Sequence, residues 1–220
     1  DDFYSQLGAK LKAMAVSKKP IVLLTQTFSS PTTQSVIEKF IVQYPNVSHV
    51  VYDTLSSSKA LDAFENIYGF RALADYDFSK AELIVSVGAD FLGDWQGGGY
   101  DSAYAKGRVP EHGKMSRHIQ FESNMSLSGA NADKRVPATP SEQLKIVAAL
   151  TGNGNVSDLS EAIQTAVSNA KAQLKKAGNK GVVITGLPDV GAQVMALSCN
   201  EGSEVMDAVN PRMVRQGNTS

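Results

Sequence analysis

Ile119-Gln-Phe-Glu-Ser-Asn-Met-Ser-Leu-Ser-Gly-Ala-Asn-Ala-Asp-Lys-Arg-Val-Pro-Ala-Thr-Pro-Ser-Glu-Gln143 is the stretch whose reading decides the fold. It reads as a buried strand, a polar loop, an Ala-Asp pair, a second short strand and a Pro-Ser-Glu helix start. Outward from it, strands and helices alternate. Leu83-Ile-Val-Ser-Val87 is the clearest buried strand and runs into Gly88-Ala-Asp90, then into the glycine-rich stretch up to Gly99. Ser141–Leu150, about 156–176 and Val190–Leu197 read as helices, and Val182–Thr185 as a strand.

Earlier in the chain, Phe3–Lys18 carries Leu7, Leu11 and Met14 near helical spacing. Ile21–Leu24 reads as a buried strand, Ser30-Pro31 as a helix start and Val47–Tyr52 as a second strand, a strand-helix-strand unit that implies parallel pairing. The segment 70–80 is polar and aromatic without clear periodicity, and Gly152-Asn-Gly154 is the most turn-like break, a candidate boundary. The order of elements predicts an α/β fold with parallel sheets.

Composition excludes several classes. With 220 residues, 42% hydrophobic and 20% charged, the chain suits a globular domain with a sizeable core. A net charge of -1 implies no bulk attraction to nucleic acid or anionic membrane, and no apolar run approaches the ~20 residues of a membrane span. The start at Asp1-Asp2 reads as a piece of a longer protein. The single Cys199, expected on a buried helix face, rules out an intrachain disulfide and a cysteine-rich iron–sulfur or zinc site within these residues.

The quoted stretch resembles the cofactor-binding segment of the molybdopterin-guanine-dinucleotide oxidoreductases (the DMSO reductase superfamily), whose strand ends in Asp-Pro-Arg, followed by Ala-Asp, Leu-Pro and Pro-Gly-Thr-Asp. Phe78–Asp90 resembles the family's acidic lead-in, strand and Gly-x-Asn segment. Phe3–Lys18 resembles its first helix, while Gly202 and Pro211–Gly217 fall where the family continues toward further domains.

By this resemblance the cofactor-contacting positions fall on Gly88, Asp90, Glu122, Asn124, Asp133 and Gln143. The departures carry the functional reading. Glu122 keeps an acid, but Ser123-Asn124 removes a cation that could face phosphate. Gln143 replaces an aspartate that would accept from a guanine edge, a mismatch costing on the order of 1–3 kcal/mol per unpaired group. These positions are therefore read as vestigial, with no catalytic and no metal-binding residue.

The match is nearest the iron–sulfur large subunits of alternative complex III, which keep the fold without the pterin. The resemblance implies two Rossmann-like lobes, like domains II and III of the family: residues 1–54 with 155–212 as a discontinuous lobe, 55–150 inserted, and 213–220 as a polar tail. It implies a scaffold role in a respiratory quinol-oxidising electron-transfer complex. The expected partners are other domains of the parent chain and further subunits, on the periplasmic side, with no nucleic acid and no direct membrane span.

No cofactor is expected within these residues, and iron–sulfur clusters are expected elsewhere in the parent. The alternative is an active oxidoreductase that binds molybdopterin guanine dinucleotide, with a serine from Ser56–Ser58 on the metal. Against that stands the helix N-cap role usual for such a cluster. A further alternative places a small ligand at the Gly88–Gly99 loop, whose glycines could bring backbone amides to an anion, although neither phosphate-loop spacing is present.

Trp95 is expected to pack against a neighbouring domain. Asp75, Asp77, Asp90 and Asp94 match no calcium loop, and His49, His112 and His118 fit no metal pattern; His49 and His118 are expected to flank strands. Arg108, Lys114, Arg117, Lys134 and Arg135 read as a solvated or interdomain surface.

Overall fold

A computed structural model of the chain describes residues 2–28, 30–54, 56–110 and 113–213. They divide into two compact units that part between Ser58 and Lys59. The first holds helix α1 (Asp2–Val16), strand β1 (Ile21–Thr25), helix α2 (Pro31–Gln43) and strand β2 (Val47–Val51). Helix α2 begins where the Ser-Pro pair predicts: the Ser30 hydroxyl accepts from Thr33 N at 3.2 Å, with proline in the first turn. Strands β1 and β2 pair in parallel, from Ile21 opposite Val47 to Thr25 opposite Val51. The expected burial of 21–24 does not hold. Val22 and Leu24 are 60% and 63% exposed, because within this two-stranded sheet they lie on the face that no helix of the unit covers.

The second unit is built on a four-stranded parallel sheet in the order β6-β5-β4-β7. Its strands are β4 (Leu83–Val87), β5 (Arg117–Glu122), β6 (Lys134–Pro137) and β7 (Gly181–Thr185). Every residue of β4 is buried, as a central parallel strand requires. Helices α6 (Pro140–Leu150) and α7 (Glu161–Ala177) cover one face, where Val85, Val87, Ile119, Phe121 and Val183 meet Ile146, Val147, Ile163 and Val167. The other face places Ile84, Val182 and Ile184 against an aromatic cluster that includes Phe64, Phe78, Phe91, Tyr100 and Tyr104. Phe64 comes from α3 (Ser58–Tyr68) and Tyr104 from α4 (Asp101–Gly107).

The expected division into 1–54 with 155–212 against 55–150 is corrected by this sheet. Strand β7 pairs with β4 along its whole length, Leu83 opposite Gly181 through Val87 opposite Thr185, because buried β4 needs a hydrogen-bonded neighbour on each side. Helices α7 and α8 (Val190–Cys199) therefore belong to the second unit, and Gly152–Gly154 is a turn inside it. Helix α7 starts at Glu161, five residues later than 156, where the Ser160 hydroxyl accepts from Ile163 N.

Strand β3 (Leu73–Tyr76) pairs antiparallel with β8 (Met206–Arg212) across an irregular register, so the 70–80 segment contains a strand that its patterning hides. Of the predicted tail 213–220, all but Met213 lies outside the described residues. No helix among the described residues is long and apolar enough to cross a membrane.

Candidate functional site at the carboxyl edge of the parallel sheet

From β4 the chain winds first toward β5 and β6, then returns to place β7 on β4's other side. Such a reversal of strand order is where open parallel sheets hold ligands, beyond the carboxyl ends of their strands. Gly88 leaves β4 with a φ of +68° and its N–H donates to Phe121 O at 2.8 Å. Gly186 leaves β7 so close by that a Cβ there would lie 2.8 Å from the Gly88 carbonyl carbon, and nearer still to its oxygen. Position 186 is glycine because the Gly88 backbone crowds it, and position 88 because of its positive φ.

Gln143 closes the crevice from the side of α6. The first turn of that helix is fixed by Glu142, which accepts from Thr139 N at 2.7 Å and from the Thr139 hydroxyl at 2.9 Å. One residue on, Gln143 turns inward and is 4% exposed. Its amide nitrogen donates to Ser123 Oγ and to Ala138 O, each at 2.9 Å. Its Oε1 sits 2.5 Å from where a Gly88 Cβ would be, so the side chain fills the space above the end of β4.

Asp90 and Glu122 are both occupied in holding one short helix, α5 (Leu127–Ala130). Asp90 accepts from Ser128 N at 2.8 Å, and the Ser128 hydroxyl accepts from Leu92 N at 2.9 Å. Glu122, 4% exposed, accepts two bonds on each oxygen. Oε1 takes Ser126 N at 3.2 Å and Arg135 Nε at 2.6 Å; Oε2 takes Ser126 Oγ at 2.6 Å and Gln120 Nε2 at 3.3 Å. The burial of this carboxylate is offset by a cation and three further donors.

Glu122 ends a polar ladder on one face of β5. His118, Gln120 and Glu122 alternate with Ile119 and Phe121, which enter the opposite core. Gln120 Nε2 also donates to Ala89 O at 3.2 Å, which leaves Gln120 Oε1 as the acceptor facing His118 Nε2 at 3.0 Å. Burial lowers the His118 pKa to about 4, so its ring is neutral near pH 7. The network therefore assigns the ring proton to Nε2 and leaves Nδ1 to accept. The Tyr104 hydroxyl, 3.3 Å from Nδ1 and 3.1 Å from Asn131 O, serves one of these two acceptors at a time.

The structure brings Gly88, Asp90, Glu122 and Gln143 to one edge but does not bring Asp133 there. Asp133 accepts from His118 N at 2.7 Å near the start of β5, about 13 Å along the strand from Glu122. It pairs through both oxygens with Arg108, at 2.7 and 2.8 Å. Burial works against its charge, but Arg108 and the His118 N–H outweigh this and hold its carboxyl below the usual range. Asp133 therefore clamps α4 to the sheet. Asn124 is exposed on the loop before α5. The ladder partners His118, Gln120 and Arg135 were absent from the predicted site, although polar residues at 118, 120 and 122 are a period-2 signal.

Several smaller expectations change. Trp95 packs inside its own unit, against Tyr76 and Tyr100, and donates to Thr185 O at 3.2 Å. Arg212 donates to Gly98 O and Asp75 at 2.7 Å and lies over the Tyr100 ring, so the glycine-rich loop is pinned at two points. Cys199 is exposed rather than buried, because it ends α8 on the outer side. His49 and His118 lie within strands, and His112 lies outside the described residues. Arg108 and Arg135 are engaged in the ion pairs described above rather than forming a free basic surface.

Ser56 accepts from Ser58 N at 3.1 Å, a local bond just ahead of α3. No cluster of three metal-ligating side chains occurs among the described residues. Neither a protein family nor a curated protein matches the chain.

Proposed function

We propose that this chain is the scaffold portion of a molybdopterin-oxidoreductase-like iron–sulfur subunit. In this reading it serves a respiratory quinol-oxidising assembly on the periplasmic side and carries no pterin at its own crevice. The two units correspond to Rossmann-like lobes, and the partners are other domains of the parent chain and neighbouring subunits. The resemblance of 119–143 supplies the family, and the parallel sheet is compatible with it.

The observation that carries the loss of the cofactor is the filled carboxyl edge. A pterin dinucleotide needs free donors for its phosphates and a free acceptor for its guanine edge. Gln143 offers one amide oxygen where a carboxylate would offer two, with its nitrogen held by Ser123 and Ala138; Asp90 is bonded to Ser128 N, and Glu122 holds Ser126 and Arg135. Arg135, the cation beside Glu122, is committed to that carboxylate. The residues present do not fit the group.

Metal and pterin analysis of the full-length parent protein, normalised to iron, tests the reading. Iron without molybdenum or released pterin is the expected result. Stoichiometric molybdenum with pterin overturns it and makes Ser56, Ser57 and Ser58 the first positions to replace.

A further inference from the structure

At the opposite, amino end of the same sheet lies a cleft of about 690 Å³ that the proposed function does not use. Five lysines line it, Lys80, Lys106, Lys114, Lys176 and Lys180, against two acids, Glu82 and Glu204. Among the described residues the formal charge there is 5 - 2 = +3, in a chain whose net charge is -1. Two of the lysines have acidic neighbours: Lys80 lies 3.5 Å from Asp77, and Lys180 lies 3.5 Å from Glu82. Lys106, Lys114 and Lys176 make no ion pair among the described residues and are exposed.

The cleft has a second feature that surface charge does not explain. Ser116, 5% exposed, lines it just before β5, and its hydroxyl has no hydrogen-bond partner among the described residues. A buried hydroxyl left unpaired is costly, and Ser116 lines the same cleft as the five lysines. Lysines in the last turns of α4 and α7 also complement the helix dipoles, but that role requires neither Lys114 nor an unpaired Ser116.

From the lysines and the serine we infer that this cleft binds a small multivalent oxyanion, carrying phosphoryl or carboxylate groups. The ammonium groups act as point charges around it, and the Ser116 hydroxyl donates from the floor. The size falls within the range of small-molecule sites. No aromatic ring among the described residues lines the cleft, so recognition rests on the charged groups rather than on stacking.

Calorimetric titration of the whole chain at low ionic strength tests this, with tripolyphosphate in one arm and citrate in the other. Saturable binding of either anion is expected, and the stronger arm identifies phosphoryl or carboxylate as the group recognised. In K106A/K114A/K176A the affinity falls on the order of tenfold or more, while thermal stability without anion falls only by the small helix-dipole contribution of Lys106 and Lys176. In a control variant of the first unit, K10A/K12A/K39A, affinity is retained. S116A weakens binding about threefold without lowering stability. Absence of binding in both arms overturns the inference, as does an equal loss in the control variant. An unchanged affinity in S116A also overturns it, by reducing the cleft to surface charge.

Discussion

Replacing Gly129 by alanine tests the arrangement at the carboxyl edge most sharply, because two physical effects give opposite signs. In an ordinary helix interior, Gly→Ala stabilises by about 1 kcal/mol. Here a Cβ on Gly129 would stand 2.5 Å from Glu122 Cδ and 2.8 Å from Oε2, with Oε1 closer still. Glu122 cannot yield freely, since it is buried and accepts four bonds. Either α5 lifts or Glu122 gives up its two bonds to Ser126, each worth about 1.5 kcal/mol or more as a charged hydrogen bond. Overpacking adds roughly 1 kcal/mol.

After subtracting the helix gain, G129A should lose about 3 kcal/mol. Urea unfolding followed through Trp95, the only tryptophan and a member of this unit's aromatic cluster, reads the change. With a slope of about 2 kcal/mol per molar urea, the midpoint falls by about 1.5 M. In an E122A background the same substitution should cost close to nothing, because the obstructing carboxylate is gone. A midpoint in G129A equal to or above that of the parent chain would refute the reasoning, as would an undiminished loss in E122A.

The remaining expectations concern protons and buried amides. His118 is neutral in the fold down to about pH 4 but protonates near 6.5 when unfolded. The unfolded state therefore binds more protons between these values, and stability falls as pH drops from 6.5 to about 4, by about 3 kcal/mol in total. H118F should flatten that window in urea titrations run at several pH values; a persistent slope assigns it elsewhere. Asp133 titrates below its ordinary value, so the stability it contributes is present above about pH 4 and is lost only as pH falls further. D133N should cost about 1–2 kcal/mol at pH 7, discounted for partial exposure, and little at pH 2; an equal loss at both pH values contradicts the ion-pair account. Q143E should cost about 2–3 kcal/mol at pH 7, since an ionised carboxylate cannot donate to Ala138 O, and should recover as the acid protonates. A pH-independent effect of Q143E would contradict this.

The legible parts of the fold are those with local causes. Ser30-Pro31 and Thr139-Pro140-Ser141-Glu142 announce helices because the capping atoms lie within four residues of each other. Leu83–Val87 announces a central strand because four of its five residues are large and apolar. What stayed hidden depends on partners far along the chain. Periodicity shows that Val182–Thr185 is a strand, but not that β4 rather than β1 receives it. Strand β3 is four residues long and broken by a register shift, and its partner Arg212 lies 137 residues beyond Asp75. At the site, the resemblance of 119–143 picked out Glu122 and Gln143, which both lie at the carboxyl edge of the sheet. It misplaced Asp133, because the loop 123–133 carries the chain from the carboxyl end of β5 back to the amino end of β6.

That returning loop also bears on whether the crevice could be opened by a ligand. Raising α5 breaks Asp90 to Ser128 N, Leu92 N to Ser128 Oγ, and both bonds from Ser126 to Glu122. Three of the four have a carboxylate acceptor, and together they hold the helix by about 5 kcal/mol, even allowing for bonds regained with water. A state that rare lowers the apparent affinity of any ligand requiring it by roughly 10³- to 10⁴-fold. The ligand would then face Asp90 without its Ser128 donor and Glu122 reduced to Arg135 and Gln120, two carboxylates whose charge is hostile to phosphate. The same bonds that make Asp90 and Glu122 good anchors for α5 therefore make them poor hosts for an anionic cofactor. A sequence with acids at both positions can thus hold the sheet edge together without hosting an anionic ligand there.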